Sequence, residues 1–234
     1  MQTLTAAALD IPRHIGFIAD GNRRWAQLHG TTAEDGFRQG AVAVHQTLER
    51  CRALGVQAAS VFLMSERNFG RSEDEVAALV DVIVDLLNTE AAASTGPLRV
   101  LTQNSGSYAI PDRLLNAIEH ARTSTANRTG MTVCLGIGYD GRADIRQAVT
   151  QALRAGDYHP AQELPLGDYL STRGLPDLDL IVRTSGERRL SAFLLWQSAD
   201  ATIHFDDRLW PDFDADALVE ALTVHAAQTR TYGR

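Results

Sequence analysis

His14-Ile15-Gly16-Phe17-Ile18-Ala19 runs straight into Asp20-Gly21-Asn22-Arg23-Arg24-Trp25. The same grammar returns near the other end, where Leu178-Asp179-Leu180-Ile181-Val182 meets Arg183-Thr184-Ser185-Gly186-Glu187-Arg188-Arg189-Leu190-Ser191. Each reads as a buried strand that stops in a cluster of arginines and small residues. Between them, short apolar runs alternate with longer amphipathic segments. Strands are expected at 14–19, 58–64, 98–102, 131–137, 178–182 and 202–205. Helices are expected at 36–54, 73–93, 111–125, 144–155, 191–199 and 214–228. The strand runs are nearly continuous in Ile, Val, Leu and Phe, as in strands covered on both faces. In 73–93, Val76, Leu79, Val80, Ile83, Leu86 and Leu87 fall near helical spacing, and Ser72 followed by Glu75 is a capping-box signature. Strand–helix alternation predicts an α/β fold with a central, mostly parallel six-stranded sheet flanked by helices. The chain has 234 residues and no Pro/Gly/Ser-rich linker or internal repeat, so 1–234 is expected to form one domain. Residues 1–11 are expected to be a flexible N-terminus.

In an open α/β sheet, ligands sit at the loops leaving the strand ends. Two arginine-rich loops with one carboxylate there suit a ligand with two concentrated negative charges and a divalent cation, which is a diphosphate site. The net charge of −7 argues against nucleic acid as the main partner, so any phosphate site is a local concentration of positive charge. The chain contains no lysine, all 22 basic residues being arginine. That excludes a P-loop lysine and a Schiff-base lysine, and leaves the planar fork of arginine to bind phosphate oxygens. Cys51 and Cys134 have neither metal-type spacing nor a partner in sequence, and read as buried thiols. No signal peptide is evident, and no apolar run approaches the ~18 residues of a membrane span. A cytoplasmic protein without stable membrane insertion is expected.

Asp20 follows the first strand, with Gly21 and Asn22 allowing a tight turn and Asn22 suited to cap the next helix. A lone carboxylate beside a diphosphate makes sense if it holds Mg²⁺ against the phosphates. Otherwise it is a turn residue paired with Arg23 or Arg24. Arg183, Arg189 and Ser191 form the second cluster. Ser191 also has an N-cap reading, and Arg189 a surface ion-pair reading. Val76, Val80, Ile83 and Leu87 either pack on the sheet, the reading preferred from the residues alone, or line a tunnel.

These segments resemble the cis-prenyltransferase, or undecaprenyl diphosphate synthase, family. Asp20–Trp25 is similar to its Asp-Gly-Asn-x-Arg-Trp signature. Ser65, Asn68, Phe69 and Arg71 are similar to its Ser-x-x-Asn-Trp-x-Arg segment, and Gly138–Arg142 to its Asn-Tyr-Gly-Gly-Arg loop. Arg183–Ser191, Phe193–Gln197 and Leu209–Phe213 are similar to its C-terminal signature. The resemblance implies a homodimer that joins isoprenyl diphosphates with Mg²⁺. It implies a metal-binding Asp20, a first diphosphate held by Gly21, Asn22, Arg23 and Arg24, and support of the reacting pair by Asn68 and Arg71. It implies a second diphosphate on Arg183, Arg189 and Ser191. The hydrophobic side of the pocket is assigned to Trp25, Phe37, Phe69, Val80 and Ile83.

The chain departs from the family pattern at charged positions. Ala33 and Phe37 stand for an arginine and a histidine near the first diphosphate. Arg67 stands for a glutamate. Thr202, with His204 two residues on, stands for a glutamate that in the family ligates the metal across the dimer, for which His204, Asp200 or Asp206 are candidate substitutes. Arg230-Thr231-Tyr232-Gly233 replaces the terminal Arg-x-Gly element. A similar Asp-Gly-aromatic segment, here Asp35-Gly36-Phe37, marks the branch that couples two allylic diphosphates head-to-middle into lavandulyl-type skeletons. The expectation is therefore irregular, short-chain coupling of dimethylallyl or geranyl diphosphate. Regular cis elongation with isopentenyl diphosphate and a non-catalytic partner subunit are the alternatives. A single-substrate cyclase is disfavoured by the intact second cluster.

Overall fold

The computed structural model describes residues 10–102, 108–157 and 163–228. The N-terminal segment falls mostly outside these, as does the terminal element at Arg230–Gly233. Six strands, β1 (His14–Ile18), β2 (Ala58–Ser65), β3 (Leu98–Leu101), β4 (Thr132–Tyr139), β5 (Leu180–Arg183) and β6 (Thr202–Phe205), form one sheet in the order β3-β4-β2-β1-β5-β6. Every described pairing is parallel. The α-helices are α1 (Asn22–Leu28), α2 (Ala33–Ala53), α3 (Glu73–Ala93), α4 (Asp112–Thr125), α5 (Gly141–Ala155) and α6 (Ala215–Ala226).

The order of strands decides where the site lies. From β1 the chain moves first to β2 on one side and later returns to β5 on the other. The crevice beyond the carboxyl ends of β1 and β5 is thus a topological switch point, the place where open α/β sheets bind ligands. Ile18 pairs with both Phe62 and Arg183, so the loops after β1, β2 and β5 emerge side by side.

One face of the sheet is covered by α2, α3, α4 and α6, with Phe17, Leu48, Val80, Leu87, Leu114 and Leu222 in the shared core. The other face buries Ile18, Phe62, Tyr139 and Ile181 against Phe193 and Leu194. The helix expected at 191–199 is absent, and turns and bends run there instead. The reason is in the backbone: Ser191, Ala192 and Leu194 adopt φ of 51°, 62° and 41°, a region no right-handed helix visits. The apolar run is hydrophobic because this irregular segment is itself a wall of the core, with Phe193 stacked 5.2 Å from Phe62. Cys51 and Cys134 are buried free thiols whose burial pushes their pKa up to about 12 and about 11.

His14 sits at the start of β1 and is wholly buried. Its Nδ1 lies 2.8 Å from the Pro176 carbonyl and its Nε2 2.8 Å from the Ser60 hydroxyl. A carbonyl only accepts, so Nδ1 carries the proton and Nε2 accepts from Ser60. Burial pushes the His14 pKa down from 6.5 to about 4. Between those values the unfolded chain takes up a proton that the folded one refuses. The stabilising contribution is therefore complete above about pH 6.5 and falls as the pH drops towards 4, by about 3 kcal/mol. Urea midpoints measured from neutral pH down to about pH 4.5 should fall steeply for the wild type and less steeply for His14→Gln.

Candidate active site

A pocket of about 530 Å³ opens at the switch point, and its walls come from all three adjacent strand ends. Asp20, Gly21, Asn22, Arg23 and Arg24 line it from the β1 side, and Ser65, Asn68 and Arg71 from the β2 side. Arg183, Glu187, Arg189 and Ser191 line it from the β5 side. Five arginines face two carboxylates there, a strongly positive basin in a chain of net charge −7. Ile18, Phe62, Met64 and Leu79 supply an apolar wall.

Arg183 is the spine of the site. It ends β5, its side chain is 3% exposed, and its Nη2 donates to Asp20 Oδ2 at 2.8 Å. Its Nη1 donates to the Ser191 hydroxyl at 2.7 Å and to the Arg189 carbonyl. Thr184, wholly buried, donates to the Asp20 carbonyl at 2.7 Å and accepts from the Asp20 N–H at 3.1 Å. The two charged loops, distant in sequence, are thus stitched together by consecutive residues. Arg24 Nη1 donates to the Ser185 carbonyl at 3.2 Å, and its Nη2 lies 3.4 Å from Asp20 Oδ1. Arg189, 60% exposed, is held by Glu187. The exposed pairs of Arg24 and Arg189 contribute little, at most about 1 kcal/mol each after solvent screening, and are free to be exchanged for a ligand.

The first loop rests on the Leu209–Phe213 segment. Gly21 has φ 114° and caps α1 with its backbone, and a Cβ there would stand 2.9 Å from Leu209 Cδ2. Trp210 donates its backbone N–H to the Asp20 carbonyl at 3.0 Å and its indole N–H to the Gly40 carbonyl at 2.9 Å. Asn22 is the first residue of α1 and not its cap. Its side chain presses on α2 so closely that a Cβ at Gly40 would lie 2.3 Å from its Oδ1. The second loop rests on the segment after β4, where the Gly141 N–H donates to the Ala192 carbonyl at 2.8 Å.

Asn68 and Arg71 both reach the pocket. Asn68 Oδ1 accepts from the Ser65 N–H at 2.8 Å and from the Ser65 hydroxyl at 3.0 Å, which fixes the turn after β2. Ser191 lies in the irregular segment and caps no helix. Its hydroxyl serves Arg183. Of the apolar set, Phe37 lines the pocket. Phe37 and Ile83 also line a narrow adjoining cleft of about 30 Å³ between α2 and α3, with Leu63, Leu79, Val82 and Leu86. Val80 faces the core instead, wholly buried. Trp25 turns away, donating to Asp212 at 2.8 Å and stacking 4.0 Å from His29. Phe69 stacks on Tyr108 at 6.2 Å. Leu63 was not anticipated: register shifts between Phe62 and Ser65 bulge β2 and place Leu63 in the wall of both cavities.

Asp20, one-third exposed, and Glu187 are the two carboxylates that line the pocket. Among the described residues no group of three His, Cys, Asp or Glu gathers to hold a metal. Thr202, His204, Asp200 and Asp206 are not among the residues around the pocket of their own protomer, where a ligand reaching across a dimer would not stand, and His204 Nε2 lies 3.9 Å from Asp206 Oδ2. The donor set fits a magnesium ion bound through one carboxylate, substrate oxygens and water, the usual economy of that ion.

Residues 18–233 match the family model described as putative undecaprenyl diphosphate synthase. The ditrans,polycis-undecaprenyl-diphosphate synthase ((2E,6E)-farnesyl-diphosphate specific) of Vibrio cholerae is 37% identical over 100% of this chain and 95% of its own. An isoprenyl transferase of Neisseria meningitidis is also 37% identical, over 100% and 95%. Among solved structures, lavandulyl diphosphate synthase from Lavandula x intermedia, in complex with dimethylallyl diphosphate, superposes with a TM-score of 0.87. It is 30% identical and is matched over 96% of this chain and 99% of that one.

Proposed function

We propose a branched-chain coupling activity for this chain, which belongs to the undecaprenyl diphosphate synthase family and is a prenyl diphosphate synthase of the cis-prenyltransferase type. Two short allylic diphosphates, of the dimethylallyl or geranyl class, enter the pocket together. One lies against Gly21, Asn22, Arg23 and Arg24, the other against Arg183, Arg189 and Ser191. The allylic C–O bond of the first breaks and its electron pair leaves with the diphosphate. The alkene of the second forms the new C–C bond, and a proton is lost from a neighbouring carbon. Mg²⁺, held by Asp20 and substrate oxygens, would supply charge neutralisation for the departing diphosphate. Asn68 and Arg71 support the reacting pair. No histidine stands among the residues described around the pocket, and its two carboxylates, Asp20 and Glu187, are engaged by arginines, so the released diphosphate is the base in this reading.

The observation that carries the short-chain part is the cleft between α2 and α3. At about 30 Å³ it is far smaller than the main pocket of about 530 Å³, so a growing polyprenyl chain would have to prise α2 and α3 apart to extend there. Short prenyl groups fit within the main pocket, against Ile18, Phe62 and Met64. The head-to-middle preference is supported by Phe37, an apolar wall where the family pattern has a histidine, and by the likeness to the lavandulyl diphosphate synthase. Regular cis elongation is the second reading, favoured by the 37% identity to an undecaprenyl synthase over the whole chain. The enzyme works as a homodimer in this reading, the edge strand β6 and exposed Trp196 and Ile203 being available to a second copy. Among the described residues no helix is long and apolar enough to cross a membrane.

Product analysis by mass spectrometry and NMR decides between the readings. Purified protein with Mg²⁺ and dimethylallyl diphosphate alone is expected to release a branched diphosphate. A linear cis product formed only when isopentenyl diphosphate is added would establish regular elongation instead, and absence of any product from either mixture would favour the partner-subunit reading.

A further inference from the structure

Glu75 is the third residue of α3, and the Ser72 hydroxyl accepts its backbone N–H at 3.4 Å. In a reciprocal capping box its carboxylate would return to the Ser72 N–H. Here it goes elsewhere. Oε1 stands 2.8 Å from Arg71 Nη1 and 3.5 Å from Arg23 Nη1. That oxygen is shut off from solvent and has no aligned hydrogen bond, so charge attraction to the two guanidiniums is what satisfies it. The arginines come from the ends of two adjacent strands, Arg23 from α1 after β1 and Arg71 from the turn after β2. Both line the pocket and Glu75 does not. Burial and the nearness of Arg23 push the Arg71 guanidinium below the usual arginine range, and Glu75 opposes that shift. Two guanidiniums this close repel each other unless a carboxylate stands between them.

We propose that Glu75 is a positioning residue that ties Arg71 to Arg23 on one wall of the pocket and presents both guanidiniums to a diphosphate. It rests on the diphosphate reading of the pocket. With the carboxylate in place, the free donors of both forks are aimed before the ligand arrives, and less side-chain entropy is lost on binding. Without it, Arg71 and Arg23 swing apart.

The test is a double-mutant cycle read by calorimetric binding of inorganic diphosphate with Mg²⁺. Glu75→Gln should weaken binding about tenfold, the scale of one charge-assisted contact, and raise KM for prenyl diphosphate more than it lowers kcat. Its thermal midpoint should stay within a few degrees of wild type, which a purely structural role would not predict. Adding Arg23→Gln to Glu75→Gln should cause less loss than Arg23→Gln causes in the wild type, because without Glu75 the Arg23 fork is no longer aimed at the ligand. Binding by Glu75→Gln that equals or exceeds wild type, or losses that simply add, would overturn the proposal. Failure of the wild type to bind diphosphate would overturn the pocket reading itself.

Discussion

Asp20→Asn should lower kcat by roughly a hundred- to a thousandfold while the protein stays folded. The magnitude is that of losing one preorganised charge at a developing anion. Asparagine keeps the shape of the side chain and an oxygen to accept from Arg183 Nη2, now 2.8 Å from Asp20 Oδ2. It also keeps the backbone contacts through which Asp20 meets Thr184 and Trp210. What disappears is the negative charge that a divalent cation needs, at the one pocket carboxylate that stands between the two loops. Asp20 is already shared by Arg24 and Arg183, so a cation binds there only when substrate oxygens offset that competition. The same variant should therefore lose the gain in diphosphate affinity that added Mg²⁺ gives the wild type. Steady-state diphosphate release, with a thermal melt as control for folding, reads both effects. Turnover within tenfold of wild type would remove Asp20 from the chemistry.

Much of this fold was legible because β1, β2, β4 and β5 are mostly buried on both faces and announce themselves as apolar runs. β6 and α3 fall where the pattern placed them, the second from long helical periodicity with a serine cap. The expected helix at 191–199 shows the limit of that signal. Phe193 and Leu194 are apolar because they close a core, and their periodicity carries no information about a backbone with three left-handed residues. The site was half legible. Charged loops after buried strands mark strand ends, but only the order of the sheet makes β1 and β5 neighbours. Trp25, Phe69 and Val80 were assigned to the hydrophobic side of the pocket by their apolar character, and the folded chain spends them on Asp212, Tyr108 and the core. Glu75 was visible only as a helix cap, since nothing local in the sequence indicates that its carboxylate looks across at α1.

Arg183 offers the largest expected loss of stability. Arg183→Ala should cost about 1.5–3 kcal/mol, the scale of a lost charge-assisted hydrogen bond whose partner is only partly buried, and lower the thermal midpoint by roughly 3–12 °C for a chain of this size. The guanidinium is 3% exposed and holds Asp20, Ser191 and the Arg189 carbonyl at once. Ser191 and Ala192, at φ 51° and 62°, keep a costly backbone conformation only while such contacts over-determine it. Activity would vanish with the loop, so alanine alone does not separate architecture from chemistry. Arg183→Lys does. In a protein that uses no lysine anywhere, it keeps the charge opposite Asp20 but replaces the planar fork with a point donor. It should recover most of the lost thermal stability yet remain at least about tenfold down in diphosphate affinity. A lysine variant that binds diphosphate like wild type would mean that charge at this position suffices, and that the fork joining both loops serves folding alone.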